Sequence, residues 1–288
     1  MAKGYVVYNP LAGNGQAQAD AQLLQLILCG ELAYYDITRI TNYAAFISGM
    51  EREDYLVIVG GDGTLNRFVN DTDGLEIPQE ILYFPTGTGN DFAKDLGIRE
   101  NPCSISAYLK ALPSVEVKGK RYCFINGVGF GIDGYCCQVG DELRKNTNKK
   151  IHYAEIAIKG LLFYFSPRKA TVIVDGNEYT YKKVWLAPTM HGRYYGGGMI
   201  PAPQQDRNSG RLSVMLCHGA GKLRTLCVFP GIFKGKHVTH KNMVAVHTGS
   251  EITVEFDQPT PLQIDGETIL GVRKYTAYAA KVKENKLC

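Results

Sequence analysis

The sequence YLVIVGGDGT, at residues 55–64, decides how the fold is interpreted. Its first part, Tyr55 to Val59, is a short apolar run typical of a buried strand, and a glycine-rich turn follows it directly. Glycines let the backbone approach a ligand closely, and a turn that opens a helix presents N–H groups to an anion. The stretch therefore predicts a strand, a phosphate-binding turn and a helix beginning near Leu65. A plain turn, in which Asp62 or Thr64 only caps the helix, has the same pattern.

The same succession of apolar run and glycine-rich turn occurs on both sides of this stretch. Tyr5 to Tyr8 leads into residues 9–15 (NPLAGNG), and Ile81 to Phe84 leads into residues 85–91 (PTGTGND). Amphipathic periodicity from Ala19 to Leu28 predicts a helix between the first two strands. Alternating strands and helices predict a parallel sheet, whose ligands bind beyond the carboxyl ends of the strands. We therefore expect the three glycine-rich turns to meet at one edge of the sheet.

After about residue 115 the pattern changes to strand segments separated by turns. Residues 175–177 (DGN) lie between two alternating runs and are typical of a β-hairpin. Helices are predicted near residues 133–144, 151–165 and 222–233. The predicted strands are Val115 to Val117, Tyr122 to Asn126, Thr171 to Val174, Glu178 to Leu186, Leu212 to Leu216, Glu251 to Phe256 and Pro261 to Ile264. The sequence thus predicts an α/β domain over residues 1–115 and a mostly antiparallel β domain over 116–274. Residues 275–288 are left open as a return to the first domain.

Composition narrows the class of protein. The chain has 288 residues, 45% hydrophobic and 21% charged, which is typical of a globular protein with two domains. A net charge of +4 is too weak to indicate a nucleic-acid partner. The eight cysteines include no C-x-x-C pair, which disfavours a zinc site or a disulfide framework. With neither a secretory pattern nor a long apolar stretch, the sequence predicts a cytoplasmic protein that meets any lipid peripherally, at the inner membrane face.

The glycine-rich motifs together resemble the diacylglycerol kinase catalytic family, especially its bacterial lipid kinases. The matching segments are residues 9–13 (NPLAG), 60–66 (GGDGTLN), 85–93 (PTGTGNDFA) and 265–267 (DGE). Their order and spacing match the family over nearly the whole chain. The resemblance implies an α/β nucleotide-binding domain like those of phosphofructokinase and NAD kinase, followed by a β-sandwich domain. It also implies phosphorylation of a hydroxyl of diacylglycerol or a related membrane lipid, with ATP and Mg²⁺ as cofactors.

The resemblance further implies roles for individual residues. Asp62 and Asp91 would belong to an acidic network around a catalytic magnesium ion, joined by Asp133. Asn90 and Asp91 would equally suit a helix cap. The nucleotide contacts that the resemblance implies are Asn9, Pro10, Ala12, Gly13, Thr41, Gly60, Gly61, Asp62, Gly63, Thr64, Leu65, Asn66, Thr88, Asn90 and Asp91.

Carboxylates on a second turn are the candidates for general-base chemistry. Asp265 and Glu267 flank a glycine between strand-like runs, and from the letters alone a plain hairpin turn is the simpler interpretation. Phosphoryl transfer to a hydroxyl uses a carboxylate to accept the hydroxyl proton. The resemblance assigns this role to Glu267, with Asp62 and Asp265 as the other catalytic candidates.

One position departs from the family pattern. Ser209 stands where the bacterial relatives place an aspartate that helps to hold a structural magnesium ion in the second domain. A neutral hydroxyl is a weaker magnesium ligand than a carboxylate. The sequence therefore predicts that this ion is either absent or held by Asp206.

Membrane contact is suggested by two segments that combine apolar and basic residues. Residues 160–165 (GLLFYF) and 229–237 (FPGIFKGKH) suit a monotopic surface, although core packing accounts for many such side chains. Basic clusters at residues 144–145, 149–150 and 234–241 would attract anionic headgroups or simply be solvated. The predicted partner is a lipid at the membrane surface, with a homodimer left open.

Three other functions share some of these features. A kinase of a soluble acceptor, NAD above all, shares the GGDGT motif, but residues 9–13 and 86–93 favour the lipid branch. A nucleotide-binding regulator without catalysis is a second alternative, opposed by Asp62 and Glu267. A dinucleotide oxidoreductase is disfavoured because residues 13–15 lack the full Rossmann fingerprint. The sequence does not specify the lipid.

Overall fold

The computed structural model describes residues 2–10, 17–99, 101–146 and 153–280. The chain divides into two compact units, Met1–Lys110 and Ala111–Cys288. The division thus falls at residue 110 rather than at the predicted boundary of 115.

In the described part of the first unit, a five-stranded sheet carries helices between its strands. The strands are β1 (Gly4–Tyr8), β2 (Leu32–Asp36), β3 (Tyr55–Gly60), β4 (Glu80–Pro85) and β5 (Cys103–Ser104). The helices are α1 (Ala17–Leu23), α2 (Tyr43–Ser48), α3 (Asp62–Asp71), α4 (Asp91–Leu96) and α5 (Ser106–Leu109). The spatial order is β2-β1-β3-β4-β5, and only the pairing of β4 with β5 is antiparallel among these described strands.

The central strand of this sheet is buried on both faces. Leu56, Val57, Ile58 and Val59 of β3 are fully buried, as expected for a continuous apolar run in a parallel sheet covered by helices. Strand β2 ends at Asp36, whose carboxylate accepts hydrogen bonds from the N–H and hydroxyl of Thr38 and so turns the chain. The predicted α/β architecture is confirmed.

The second unit is built on an antiparallel sheet. Its strands are β6 (Ser114–Val117), β7 (Lys120–Cys123), β8 (Gly127–Gly131), β9 (Arg168–Val174), β10 (Asn177–Val184), β11 (Leu186–Met190), β12 (Leu212–Cys217), β13 (Val244–Gly249), β14 (Glu251–Ile264) and β15 (Glu267–Tyr278). The spatial order is β13-β12-β11-β8-β14-β15-β6-β7, and β9 pairs with both β14 and β10. The amino-terminal half of β14 pairs with β9 and its carboxyl-terminal half with β8, so β14 belongs to both parts of the predicted β-sandwich.

An aromatic cluster fills the interior of this β domain. The ring of Phe130 lies 4.8 Å from that of Phe256 and 5.1 Å from that of Tyr275, and all three residues are almost fully buried. Burial of such rings is a large favourable contribution to folding.

Helices and short turns cover one end of the second unit. They are α6 (Ile132–Asn146), α7 (Tyr153–Lys159), a π-helical turn (Gly160–Tyr164) and α8 (Lys222–Val228), with 3₁₀ turns at Arg207–Ser209, Phe229–Lys234 and Lys236–Thr239. These elements match the three predicted helical inserts, apart from residues 147–152, which lie outside the described residues. None of the helices that the structure describes has the length and apolarity to cross a bilayer.

Two predictions about strands in the second unit are wrong. The predicted strand from Glu178 to Leu186 is interrupted at Trp185, whose N–H donates to the carbonyl of Cys217. The predicted strand from Tyr122 to Asn126 ends at Cys123. Residues 275–278, which the sequence left open as a return to the first domain, belong to β15 and pair with β14 and β6. Residues 281–288 lie outside the described part.

Candidate active site

The carboxyl ends of three strands lie side by side in the first sheet. Tyr8 of β1 is opposite Val59 of β3, and Val59 is opposite Phe84 of β4. The turns that follow these strands therefore start at one edge, as predicted. Residues 11–16 lie outside the described part of the chain, so the predicted contacts of Ala12 and Gly13 do too. Asn9 and Pro10 are half-buried directly after β1.

The turns after β3 and β4 touch through their backbones. A Cβ atom on Gly87 would lie only 2.5 Å from the Cα atom of Gly61, and one on Gly61 would lie 3.1 Å from the Cα atom of Gly87. The N–H of Thr86 donates to the carbonyl of Gly60 at 3.1 Å. Gly60 has a φ of 156°, and a Cβ atom there would lie 2.4 Å from Oγ1 of Thr64. Packing between the two turns therefore requires several of these glycines.

Gly63 has a different environment from the other glycines of its turn. It is exposed in the first turn of α3, and among the described residues no atom lies within 4 Å of the position that a Cβ atom would take. The helix does not need a glycine there, because glycine is less favourable than alanine in a helix. Internal packing therefore gives no reason for glycine at 63, whereas close approach of a ligand to the backbone does.

Asp62 joins the two turns. Its carboxylate oxygens accept hydrogen bonds from the N–H groups of Asp91, at 2.8 Å, and Phe92, at 2.9 Å, at the start of α4. Asn90 occupies the N-cap position with a φ of 49°, but its side chain makes no capping hydrogen bond. The predicted side-chain cap at Asn90 is therefore wrong, and a carboxylate from the neighbouring turn takes its place.

The turns after β3 and β4 each contribute a carboxylate, from Asp62 and Asp91. Asp91 is 3% exposed, and its Oδ1 lies 3.9 Å from Nζ of Lys94. Burial raises the pKa of the Tyr83 hydroxyl well above its usual range, and the nearby charges of Asp62 and Asp91 raise it further. Oxygen donors and negative charge suit a hard divalent cation. Among the described residues no group of three or more His, Cys, Asp or Glu could hold a metal ion, and magnesium at Asp62 and Asp91 stays a prediction.

The remaining predicted nucleotide contacts have mixed environments. Thr64, Leu65 and Asn66 are buried, and the Leu65 side chain is fully enclosed, which indicates a packing role for this residue. Thr88 is exposed in the turn after β4. Thr41 is also exposed, and it follows the turn that ends β2 rather than the strand itself.

In the second unit, the predicted Asp265–Gly266 turn is a two-residue hairpin between β14 and β15. Both residues have positive φ, 47° and 95°, which defines a type I′ turn. The Asp265 carboxylate accepts hydrogen bonds from the N–H groups of Ile125, Asn126 and Gly127 at 2.6 to 2.9 Å. Its oxygens anchor the turn to another segment, so we assign Asp265 a structural role. Its predicted place among the catalytic carboxylates stays a prediction.

Glu267 is the first residue of β15 and pairs across the hairpin with Ile264. Its side chain is exposed. The carboxylate is thus accessible and lies directly after an anchored turn, which limits its freedom of position. This geometry suits a proton acceptor for a substrate that comes from outside the domain.

The region of the predicted structural magnesium is held by hydrogen bonds and an arginine. The hydroxyl of Ser209 donates to the carbonyl of Asp206 at 2.7 Å, and the Asp206 carboxylate accepts from the N–H of Asn208. The guanidinium of Arg207 donates to the carbonyl of Ile125 and to the side-chain oxygen of Asn126. A positive charge from the chain itself thus lies against this segment. No sequence motif indicated Arg207, because its partners are distant along the chain.

Asp133, which the resemblance joined to the acidic network around magnesium, is a buried residue of the second unit. It lies at the start of α6, is buried, and accepts a hydrogen bond from the N–H of Gly134 at 2.8 Å. Burial raises its pKa to about 6. Burial disfavours the charged form of this carboxyl, and its place in an acidic network around magnesium stays a prediction.

Known proteins resemble both units of this chain. Residues 3–118 match the family model of the diacylglycerol kinase catalytic domain, and residues 126–277 match that of the YegS C-terminal NAD kinase beta sandwich-like domain. The chain therefore belongs to the diacylglycerol kinase catalytic family, in its bacterial branch.

Individual relatives agree with this assignment. A diacylglycerol kinase of Mycobacterium tuberculosis is 27% identical over 194 residues, which span 64% of this chain and 62% of that protein. A diacylglycerol kinase of Bacillus subtilis is 25% identical over 283 residues, 93% of this chain and 90% of the relative. The crystal structure of a diacylglycerol kinase from Bacillus anthracis has a TM-score of 0.61 at 19% identity, covering 96% of this chain and 94% of that one. This last similarity concerns the fold.

Proposed function

We propose that this chain is an ATP-dependent lipid kinase that phosphorylates a hydroxyl of diacylglycerol or of a related membrane lipid. Its membership of the family and the names of its relatives in M. tuberculosis and B. subtilis support the reaction class. The observation that carries the proposal is Gly63, a glycine in a helix that no contact with the described residues requires. A phosphate group at the start of α3 supplies the missing reason.

The proposed phosphate site combines three features of the first unit. Helix α3 has ten residues, so its dipole places partial positive charge at its first turn, where anions bind. Gly63 lets the phosphates approach the backbone. Asp62 and Asp91 supply the oxygen donors for magnesium, which when bound would neutralise charge on the phosphates.

Glu267 is the proposed proton acceptor for the lipid hydroxyl. An exposed carboxylate on a fixed hairpin is reachable by an external substrate, and it can accept the proton as the oxygen attacks phosphorus. The bond from oxygen to the γ-phosphorus forms while the bond from that phosphorus to ADP breaks.

A γ-phosphate transfer assay tests the reaction class directly. Radiolabelled ATP is incubated with the protein and a total lipid extract, with NAD as the acceptor in a parallel reaction. We expect the label to appear in the organic phase. Label only on NAD would overturn the lipid proposal and favour a kinase of a soluble acceptor.

The variant Gly63→Ala tests the phosphate site separately from catalysis. The added methyl group has room in the protein, so the free energy of unfolding is expected to stay unchanged or rise by about 0.5 to 1 kcal/mol. A bound phosphate would collide with it, and calorimetry should show ATP affinity at least about tenfold lower. Gly221→Ala is the matched control, because that glycine also has open space around it. Wild-type ATP affinity in Gly63→Ala would contradict the site.

A further inference from the structure

Three large apolar side chains of the second unit are exposed to solvent. Phe163 and Tyr164, in the π-helical turn, are 72% and 70% exposed, and Leu223, in α8, is 76% exposed. Large apolar side chains exposed to this extent in neighbouring elements mark a site of interaction. We call Phe163, Tyr164 and Leu223, together with the exposed Phe233 of the 3₁₀ turn Phe229–Lys234, the aromatic surface.

The elements that carry the aromatic surface are fixed to one another. Nζ of Lys222 donates to the carbonyl of Leu162 at 2.9 Å, which joins α8 to the π-helical turn. Helix α8 also packs against the 3₁₀ turn Phe229–Lys234, which carries Phe233. Beneath these elements lies one apolar cluster that includes Leu161, Ile232 and Trp185. The inward side chains are thus already used for packing, and the outward ones are presented on a stable base.

Basic side chains accompany the aromatic surface. Residues 221–241 contain five Lys or Arg and no Asp or Glu. Lys222, Arg224, Lys234 and Lys236 in this segment are all exposed. Exposed aromatic and leucine side chains with basic neighbours are the combination that binds the headgroup region of an anionic bilayer.

A second exposed apolar group in the molecule provides the contrast. Leu23, Leu26 and Ile27 of the first unit are also exposed, with Leu26 at 84%. Residues 17–31 around them contain Asp20 and Glu31 but no Lys or Arg. Charge therefore distinguishes the two groups, and only the aromatic surface is complementary to anionic lipid.

We infer that the aromatic surface is where this protein docks on anionic membranes, with Phe163, Tyr164 and Leu223 inserted among the headgroups and Arg224 and Lys234 against their phosphates. The inference rests on the proposed function, since it supplies the contact through which a kinase without a membrane-spanning helix among its described residues reaches a lipid. Of the predicted basic clusters, residues 234–241 contribute to it. Residues 149–150 lie outside the described part of the chain, and of 144–145 only the backbone is described.

Vesicle sedimentation of the full chain tests the docking surface. Vesicles of phosphatidylcholine, with or without phosphatidylglycerol, are mixed with the wild type, Phe163→Ser/Leu223→Ser and Arg224→Glu/Lys234→Glu. We expect the wild type to bind the anionic vesicles, and both double variants to bind them at least tenfold more weakly. Leu26→Ser is the matched control and should bind like the wild type. Thermal unfolding of each variant verifies that it is folded.

Several outcomes would overturn the inference. These are failure of the wild type to bind anionic vesicles, undiminished binding by both double variants, or an equal loss of binding in Leu26→Ser. A change of molar mass in Phe163→Ser/Leu223→Ser without a change in vesicle binding would assign the surface to a second copy of the chain instead.

A short-chain diacylglycerol below its micellar concentration separates docking from catalysis. With this dissolved acceptor, both double variants should transfer phosphate at the wild-type rate, because no membrane has to be met. If the wild type transfers no phosphate to any lipid yet binds vesicles through this surface, the proposed kinase function fails and the docking surface stands.

Discussion

Two hairpins of the second unit have the same Asp-Gly turn, but their aspartates bind different numbers of backbone N–H groups. Asp175 and Gly176, with φ of 47° and 83°, join β9 to β10 as Asp265 and Gly266 join β14 to β15. The Asp175 carboxylate accepts from the N–H groups of Ser250 and Glu251, whereas that of Asp265 accepts from three consecutive N–H groups. Both aspartates therefore tie a turn to a distant segment.

A third hairpin shows that the turn itself does not need the carboxylate. Lys118 and Gly119, with φ of 49° and 74°, form the same two-residue turn between β6 and β7. An aspartate in such a turn is thus explained by the N–H groups it binds. What separates the Asp265 hairpin from the Asp175 hairpin is the residue after the glycine, Glu267 in place of Asn177.

The largest effect is expected at Glu267. Glu267→Gln keeps the size and polarity of the side chain but removes the proton acceptor, so kcat for lipid phosphorylation should fall by about 10²-fold or more. Initial-rate kinetics measure this loss, and circular dichroism should show an unchanged fold. Glu178→Gln, an exposed glutamate beside the Asp175 turn, is the control and should keep wild-type activity. Near-normal turnover in Glu267→Gln would show that Glu267 is not the proton acceptor and that the two hairpins do not differ in catalysis.

Asp265→Asn should reduce stability rather than act on chemistry alone. Asparagine is favoured in a type I′ turn, so the backbone is preserved while the charge that holds three N–H groups is lost. We expect the free energy of unfolding to fall by about 2 to 3 kcal/mol in a denaturant titration. If Asp265→Asn lowers the free energy of unfolding no more than Asp175→Asn does, Asp265 does not hold its turn more strongly than Asp175.

Acid should lower the free energy of unfolding through His191, which is bonded to Asn126, one of the residues that Asp265 binds. This residue is 5% exposed, and its backbone N–H donates to the carbonyl of Asn126. Burial, and then the charge of Arg207, lowers the pKa of its imidazole to about 3. Because the folded pKa lies below the unfolded value, its contribution to stability is present above pH 6.5 and is lost as the pH falls towards 3.

Between pH 7 and pH 5 this contribution should decrease by about 2 kcal/mol. His191→Gln should remove that part of the pH dependence in denaturant titrations, whereas His240→Gln, at an exposed histidine, should keep it. An identical pH dependence in wild type and His191→Gln would show that His191 is protonated at no cost.

The smallest effect is expected for Asp175→Asn. Its carboxylate accepts from two N–H groups and meets Arg211 at 3.4 Å at an exposed site, where solvent weakens charge interactions. The free energy of unfolding should fall by about 1 kcal/mol, without a change in lipid phosphorylation. A loss of activity here would show that the hairpins are coupled.

Local patterns in the sequence predicted the parallel sheet well. Tyr55 to Val59 is apolar throughout and forms a strand that is buried on both faces, and the turns after it required glycine for steric reasons. Strand β8 was missed, because Gly127, Gly129 and Gly131 have low strand propensity. In the structure a Cβ atom on Gly129 would lie 2.6 Å from the Cα atom of Pro188, so the glycines allow the strands to approach.

The roles of the carboxylates could not be predicted from spacing. Asp265 binds N–H groups about 140 positions away, and Asp62 binds those of Asp91 and Phe92, which follow the neighbouring strand of the sheet. Contacts between distant segments follow from how the strands are ordered, and a motif within one segment carries no information about them. The role of Glu267 as proton acceptor was predicted from the family resemblance, because the local sequence alone is equally consistent with a plain turn.

The hydrogen bonds of Asp62 affect how its variants should be interpreted. Replacing Asp62 by asparagine would remove a candidate magnesium ligand and, in the same step, loosen the first turn of α4. The inactivity of an Asp62 variant could therefore come from the lost magnesium ligand or from the displaced first turn of α4. Glu267, exposed at the start of its strand, is the cleaner choice for a catalytically dead enzyme that still binds nucleotide and lipid.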